Sequence, residues 1–327
     1  MGEPAGIGTE ITLKAWALRK VSGPPFFLID SVQRLLHAAS ALKIDIPLKA
    51  VGTAAEALQA FPTALPVFEI AEAQSLKFSL GRPNPATSKA VIASIDMAVK
   101  LVRDKHAAGI ITNPIQKAAL QAAGFAYPGH TEYLGHLAGE LASVMMLVVE
   151  RPNPPLRVVP VTVHTPISNV ATSLTSSAIT HCGRVTAKAL MTDFGIEQPR
   201  LAVSGLNPHA GEDGKIGDEE MRIIAPAIAQ LRAEGFNVQG PAPADTLFHA
   251  EARAKYDAVL CMYHDQALVP LKTLDFAGGV NVTLGLPFVR TSPDHGTALD
   301  IAGRGVADPT SFMAALDLAA RFTARRS

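Results

Sequence analysis

The sequence predicts an α/β protein, one large unit or two coupled ones, and three observations carry that expectation. The chain has 327 residues, more than one average core accommodates. Short apolar runs alternate along it with segments of helical period. Residues 259–303, VLCMYHDQALVPLKTLDFAGGVNVTLGLPFVRTSPDHGTALDIAG, set strand-like runs beside His264, Asp265, Gln266, Lys272, Asn281, Arg290, Asp294 and His295. AVLCMY, ending in that polar cluster, suits a buried parallel strand whose C-terminal end opens into a crevice, where open α/β sheets bind ligands.

The chain opens with MGEPAGIGTEI, a glycine-rich loop leading into a helix over residues 9–20. Such a turn normally follows a buried strand, so a strand upstream of Met1 is expected. PFFLID (25–30) is a strand, residues 31–42 a helix, and LKAVG the next strand. Residues 54–80 contain prolines and little periodicity, which predicts a surface-wrapping segment. Over residues 84–106 the positions Ala90, Ile92, Ile95, Ala98, Val99 and Val102 fall at helical spacing, and AGIITNPI then reads as strand and loop, with Lys117 opening a helix. In YPGHTEYLGHLAG (127–139), His130 and Thr131 stand at a helix start, where Thr131 or a neighbour can cap and backbone N–H groups favour a phosphate or carboxylate. SVMMLVVE and LRVVPVTVHTPIS form an antiparallel pair joined by RPNPP (151–155), followed by a helix over 175–194. RLAVSGLNPHAGEDGKIGDEE (200–220) reads as strand, glycine-rich loop and acidic helix start. A helix to Gly235, the strand-like FNVQGPAPADTLF and a helix over 250–256 lead back to AVLCMY, and a helix over 310–323 with a basic ARRS tail closes the chain.

Hydrophobic residues make up 48% and charged residues 18%, with 29 basic against 29 acidic side chains, so no overall field draws the chain to nucleic acid or an anionic membrane. VMMLVV (144–149) is too short to span a bilayer, and the N-terminus lacks the pattern of a signal peptide. Two cysteines, Cys182 and Cys261, with no CxxC, fit a reduced cytoplasm. Neither GxGxxG after a strand nor GxxxxGK[ST] is present, which excludes a standard Rossmann or P-loop site.

Three histidines end strands in similar contexts: His164 after VPVTV, His209 after LAVSGLNP and His264 after AVLCMY. In a parallel sheet such ends converge on one crevice, and three neutral imidazoles leave positions open for substrate on zinc or a similar ion. A lone histidine is more often structural, and His37, His106, His181 and His249 take that reading, with His136 open. His130, Thr131, Lys272, Asn281 and Arg290 form a second, cationic and amidic group, suited to a phosphate or carboxylate. A metal hydrolase and a non-catalytic phospho-ligand binder both remain open at this level.

Residues 294–309, DHGTALDIAGRGVADP, resemble the adenosine-binding loop of isocitrate and isopropylmalate dehydrogenases. Over essentially its whole length the chain resembles the 4-hydroxythreonine-4-phosphate dehydrogenase family of vitamin B6 synthesis. The residues carrying this are GEPAGIG, GHTEY, VTVHTP, GLNPHAGE, GPAPADTLF, YHDQALVPLK and GVNVTLGLPFVRTSPDHGTALDIAG. The resemblance implies an α/β/α subunit of two lobes about a central cleft, like isocitrate and isopropylmalate dehydrogenases. The first lobe is expected over residues 1–125 and 275–327, the second over 126–274. It implies a homodimer whose metal site, zinc, magnesium or cobalt on His164, His209 and His264, is completed across the interface by His264. Substrate would meet His130, Thr131, Lys272, Asn281 and Arg290. Lys272 and Asp265 would be catalytic, Asp265 and Asp245 orienting ligands from behind. NAD or NADP would lie on His295, Gly296, Thr297, Ala298 and Asp300. The implied reaction is oxidation of 4-phosphooxy-L-threonine to 2-amino-3-oxo-4-phosphooxybutanoate, which loses CO₂ to give 3-amino-2-oxopropyl phosphate. Relatives oxidise other phosphorylated hydroxy acids, and TNPIQK (112–117) lacks a glycine that some of them carry before the proline.

Overall fold

The structure is a computed structural model that describes residues 1–19, 21–151 and 153–326. Lys20 of the expected first helix, Pro152 of the RPNPP turn and Ser327 of the tail lie outside the described residues. The chain divides into two compact units, Met1–Leu141 with Leu286–Thr323, and Ala142–Gly285 with Ala324–Ser327.

In the first unit, α1 (Gly8–Arg19) is followed by β1 (Leu28–Asp30), α2 (Val32–Leu42), β2 (Leu48–Val51), α3 (Ala54–Ala60), β3 (Leu65–Glu69) and α4 (Ala71–Gln74). Then come α5 (Ser88–Arg103), β4 (Gly109–Ile111), α6 (Lys117–Ala122) and α7 (His130–Leu137). The unit's later segment supplies β11 (Val289–Pro293) and most of α13 (Thr310–Arg326). Strands β1, β3 and β2 form a parallel three-stranded sheet with β3 in the middle, and β4 pairs in parallel with β11. Leu13, Trp16, Leu35, Phe61, Leu65 and Val67 close one core of this unit, and the Trp16 indole N–H donates to the Phe61 carbonyl at 3.0 Å.

Residues 54–80 therefore do not merely wrap the surface; they hold the central strand of a sheet. Pro66 obscured it, because proline donates no ladder bond and argues against a central strand. Its place resolves the conflict: Pro66 is registered only with Lys49 of β2, and pairing with β1 begins at Val67. Two expected elements are shorter than their apolar runs, the first strand starting at Leu28 and the helix near 250 stopping at Arg253. The basic residues of the tail continue α13 to Arg326, and Arg326 pairs with the buried Asp193 at 2.7 Å.

The second unit runs β5 (Val144–Val149), β6 (Leu156–Thr162), α8 (Ile167–Ser173), α9 (Ser176–Thr192), β7 (Arg200–Ser204), α10 (Ala225–Ala233), β8 (Asn237–Ala242), α11 (Ala250–Arg253), β9 (Ala258–Tyr263), α12 (His264–Leu274) and β10 (Val280–Leu284). Its strands lie in the order β10-β5-β6-β9-β7-β8, antiparallel around β5 and parallel from β6 onward. Val259 and Cys261 of β9 share a cluster with Ala267 and Leu271 of α12. Alternation turns the equally buried Leu260 and Met262 to the other face. Burial on both faces is why AVLCMY is apolar without interruption. Both cysteines are buried, and neither forms a disulfide. Among the described residues no helix is long and apolar enough to cross a membrane.

Leu147 of β5, 1% exposed, lies within that cluster. Leu147→Ala is expected to lower unfolding free energy by about 2–5 kcal/mol, the usual cost of a buried leucine-sized cavity. A urea titration measures it, and a loss under about 1 kcal/mol would show that the site collapses freely.

Candidate active site

In the second unit, three neighbouring parallel strands end on one edge of the sheet. His164 lies two residues beyond β6, His264 opens α12 directly after β9, and His209 follows β7 by five residues. The His164 and His264 ring centroids are 5.9 Å apart. Gln266, 8% exposed, fixes the approach of α12: its Oε1 accepts from Met262 N–H at 2.6 Å and from the Ser204 hydroxyl at 2.7 Å, and its amide donates to the Gly205 carbonyl at 2.8 Å. The Thr162 hydroxyl donates to the Met262 carbonyl at 2.8 Å and so ties the ends of β6 and β9. Asp265 Oδ1 lies 2.7 Å from His264 Nδ1. A carboxylate there makes Nδ1 the protonated nitrogen and leaves the Nε2 lone pair for a ligand.

These strand ends do not gather the three imidazoles into one centre. Among the described residues, no group of three or more His, Cys, Asp or Glu side chains within the chain is placed to hold a metal ion. The imidazole donors themselves suit a divalent ion. Lys272, on the last turn of α12, has its ammonium 5.0 Å from the Phe276 ring. Asn281 on β10 gives an amide N–H to Met145 Sδ at 3.4 Å, while its Oδ1 is buried with no hydrogen-bond partner. Asp245 is exposed on a short turn after β8.

The first unit gathers positive charge around the buried His130. Arg290 on β11 is 3% exposed, and its Nη2 donates to Thr112 Oγ1 at 2.6 Å. Burial lowers its pKa to about 10, with Glu132 acting the other way, so it stays charged at neutral pH. His130 begins α7 after the N-cap residue Gly129, which has no side chain to cap with. Burial first, then the charges of Arg290, the N-terminus and Lys117, hold the His130 imidazole neutral, well below the usual 6.5. Its Nε2 is buried and without a hydrogen-bond partner. A neutral imidazole beside a guanidinium suits a bound anion, because charge sits where the anion needs it and His130 adds a hydrogen bond without further desolvation. Lys117, at the start of α6, adds its charge to this cluster, and the sequence marked it only as a helix boundary.

Stability should follow His130. An unfolded chain protonates this residue near 6.5 and the folded chain resists, so its contribution is complete above that pH and lost as pH falls below it. His130→Gln is therefore expected to shrink the drop in urea midpoint between about pH 7.5 and about pH 5. An unchanged drop would place the imidazole in water.

Also in the first unit, the loop after β11 meets the N-terminal glycine-rich loop. The Ile7 N–H donates to the Thr297 carbonyl at 3.0 Å, and a Cβ on Gly6 would lie 2.9 Å from that oxygen. Glu3 N–H reaches the Pro114 carbonyl at 2.9 Å. His295 Nδ1 donates to the Gly296 carbonyl at 3.0 Å, leaving a buried Nε2 acceptor with no partner. Gly296 and Asp300 are exposed, and Ala298 has φ 42°.

The fold and these side chains define an α/β protein with imidazoles at strand exits in one unit, and a buried cationic cluster and a glycine-braced loop in the other. A model of the family described as pyridoxal phosphate biosynthetic protein PdxA matches residues 24–319. The chain is 52% identical over 331 residues to a 4-hydroxythreonine-4-phosphate dehydrogenase of Caulobacter vibrioides, covering 99% of this chain and 96% of that one. It is 52% identical over 328 residues to the enzyme of the same name from Paracoccus denitrificans, covering 99% and 97%. The crystal structure of the Klebsiella pneumoniae 4-hydroxythreonine-4-phosphate dehydrogenase superposes with a TM-score of 0.87 at 38% identity, covering 99% of this chain and 98% of that one. The chain belongs to the PdxA family.

Proposed function

We propose that this chain is a dehydrogenase that oxidises the β-hydroxyl of 4-phosphooxy-L-threonine with NAD or NADP, within pyridoxal phosphate biosynthesis in the cytoplasm. The observation that carries it is Arg290, buried and charged beside the neutral His130: a cradle for a phosphoryl group in a chain of this family. His130, Thr131, Lys272, Asn281 and Arg290 are the residues that bind the substrate in this reading. Asn281 Oδ1, a buried acceptor without a partner, favours a substrate N–H or O–H. Lys272 takes the hydroxyl proton. Asp265 acts through His264, setting its tautomer.

His164 and His209, with His264 of the partner subunit, would hold a zinc, magnesium or cobalt ion in a homodimer. His295, Gly296, Thr297, Ala298 and Asp300 would hold the nucleotide, the His295 Nε2 acceptor suiting an adenine amino group. When bound, the ion supplies Lewis acidity at the substrate oxygen and the nicotinamide accepts the hydride. The oxidised product, 2-amino-3-oxo-4-phosphooxybutanoate, is a β-keto acid and loses CO₂ to leave 3-amino-2-oxopropyl phosphate.

Absorbance of the reduced nicotinamide, followed over a panel of phosphorylated hydroxy acids with and without a chelator, tests this. Turnover is expected with 4-phosphooxy-L-threonine and is expected to stop on chelation. Faster turnover of a phosphorylated threonate or erythronate would reassign the substrate. Phosphate release without nucleotide would make the chain a hydrolase.

A further inference from the structure

His209 stands on a loop that winds the wrong way. His209, Ala210, Gly211, Glu212 and Asp213 have φ of 53, 53, 82, 44 and 55°, and only one of them is glycine. Consecutive left-handed residues are disfavoured for L-amino acids and persist only where their surroundings impose them. Against this loop lies Glu220, from the acidic end of GDEE. Its carboxylate is 3% exposed and sits inside the loop. Oε1 accepts from the backbone N–H of Leu206 and of Asn207, each at 2.7 Å. Oε2 accepts from the Asn207 side-chain amide at 2.9 Å, and that amide also donates to Glu219 at 2.7 Å.

The fit leaves no slack. A Cβ on Gly211 would lie 2.7 Å from Glu220 Oε2, and one on Gly205 would lie 3.1 Å from Oε1 and 2.9 Å from Ala210 Cα. Glu220 thus holds the entry to the loop through Leu206 and Asn207 and presses on its middle at Gly211. It opens a π-helical turn, Glu220–Ile224, ahead of α10. The wider turn changes the rotation between Glu220 and the face α10 buries, so a carboxylate can face the loop while Ile223 and Ile224 enter the core.

We infer that Glu220 is a positioning residue: its buried carboxylate holds the left-handed loop 205–217 and thereby sets where the His209 imidazole stands. Charge-assisted bonds to N–H groups suit this, being short, strong and directional. His209 is taken here as a metal ligand, as proposed above, and Glu220 acts on the metal only through it.

Co²⁺ titration of the intact protein, read by visible absorption and paired with hydrogen exchange of residues 206–217, tests the inference. Glu220→Ala is expected to weaken Co²⁺ binding by about tenfold or more, the scale seen when groups behind metal ligands are lost, and to speed exchange at Leu206 and Asn207. Arg184→Ala breaks only a surface pair with Glu234 and should change neither. Should Glu220→Ala fail to fold, Asn207→Ala, which keeps both backbone bonds to Glu220, is expected to show a smaller weakening of the same sign. Wild-type Co²⁺ affinity in folded Glu220→Ala, or in Asn207→Ala where only that variant folds, overturns the role of Glu220 alone. Wild-type protein whose Co²⁺ uptake is indifferent to alanine at His164, His209 and His264 overturns the metal assignment and the role together.

Discussion

Alanine at His164, His209 or His264 is expected to weaken divalent-metal binding by more than about a hundredfold, beyond the range for groups that only support a ligand. In the proposed site each is one of three imidazole donors, and removing one would leave too few protein ligands for a catalytic site of this type. The fall should be of similar size at all three positions, although His209 is separated from its strand by five residues and His264 by none. Metal analysis of the purified variants, with circular dichroism to establish folding, measures it. Undiminished metal in all three variants would remove the assignment. Because no three such side chains gather within a single chain among the described residues, metal binding should also rise and fall with dimer formation on dilution.

Arg290→Ala is expected to weaken binding of the phosphorylated substrate by about tenfold or more, against little change for the unphosphorylated hydroxy acid. A charge-assisted hydrogen bond contributes about 1.5–3 kcal/mol, and Arg290 is buried enough for most of that to be felt. Arg290→Lys should recover only part of the loss, because an ammonium cannot reproduce the planar two-pronged contact. Equilibrium binding of both ligands to the three proteins decides it; unchanged discrimination in Arg290→Ala would contradict a phosphoryl contact.

Much of this architecture was legible beforehand because it follows from local periodicity. The uninterrupted apolar run of β9 announced burial on both faces, and α5 showed its helical spacing. Where one residue contradicted its neighbours, local reasoning failed. Pro66 hid β3, since the residue that cannot donate a ladder bond stands at the strand's start, where the missing N–H costs little. Lys117 was visible as a helix boundary, but only the approach of α6 to α7 makes it a neighbour of His130.

The sequence by itself determined that His164, His209 and His264 follow strands, because an apolar run marks a strand locally, whereas the neighbourhood of His164 and His264 comes from the pairing of β6 with β9. It also determined that Arg290 would sit within a buried strand. Only the tertiary structure decided that burial holds His130 neutral and that His209 is carried on a left-handed loop around Glu220. Protonation depends on the field of groups distant in sequence, and a run of positive φ in non-glycine residues is written in no local propensity. In the fold a carboxylate from a later turn binds the residues that lead into that run, a contact no local pattern announces.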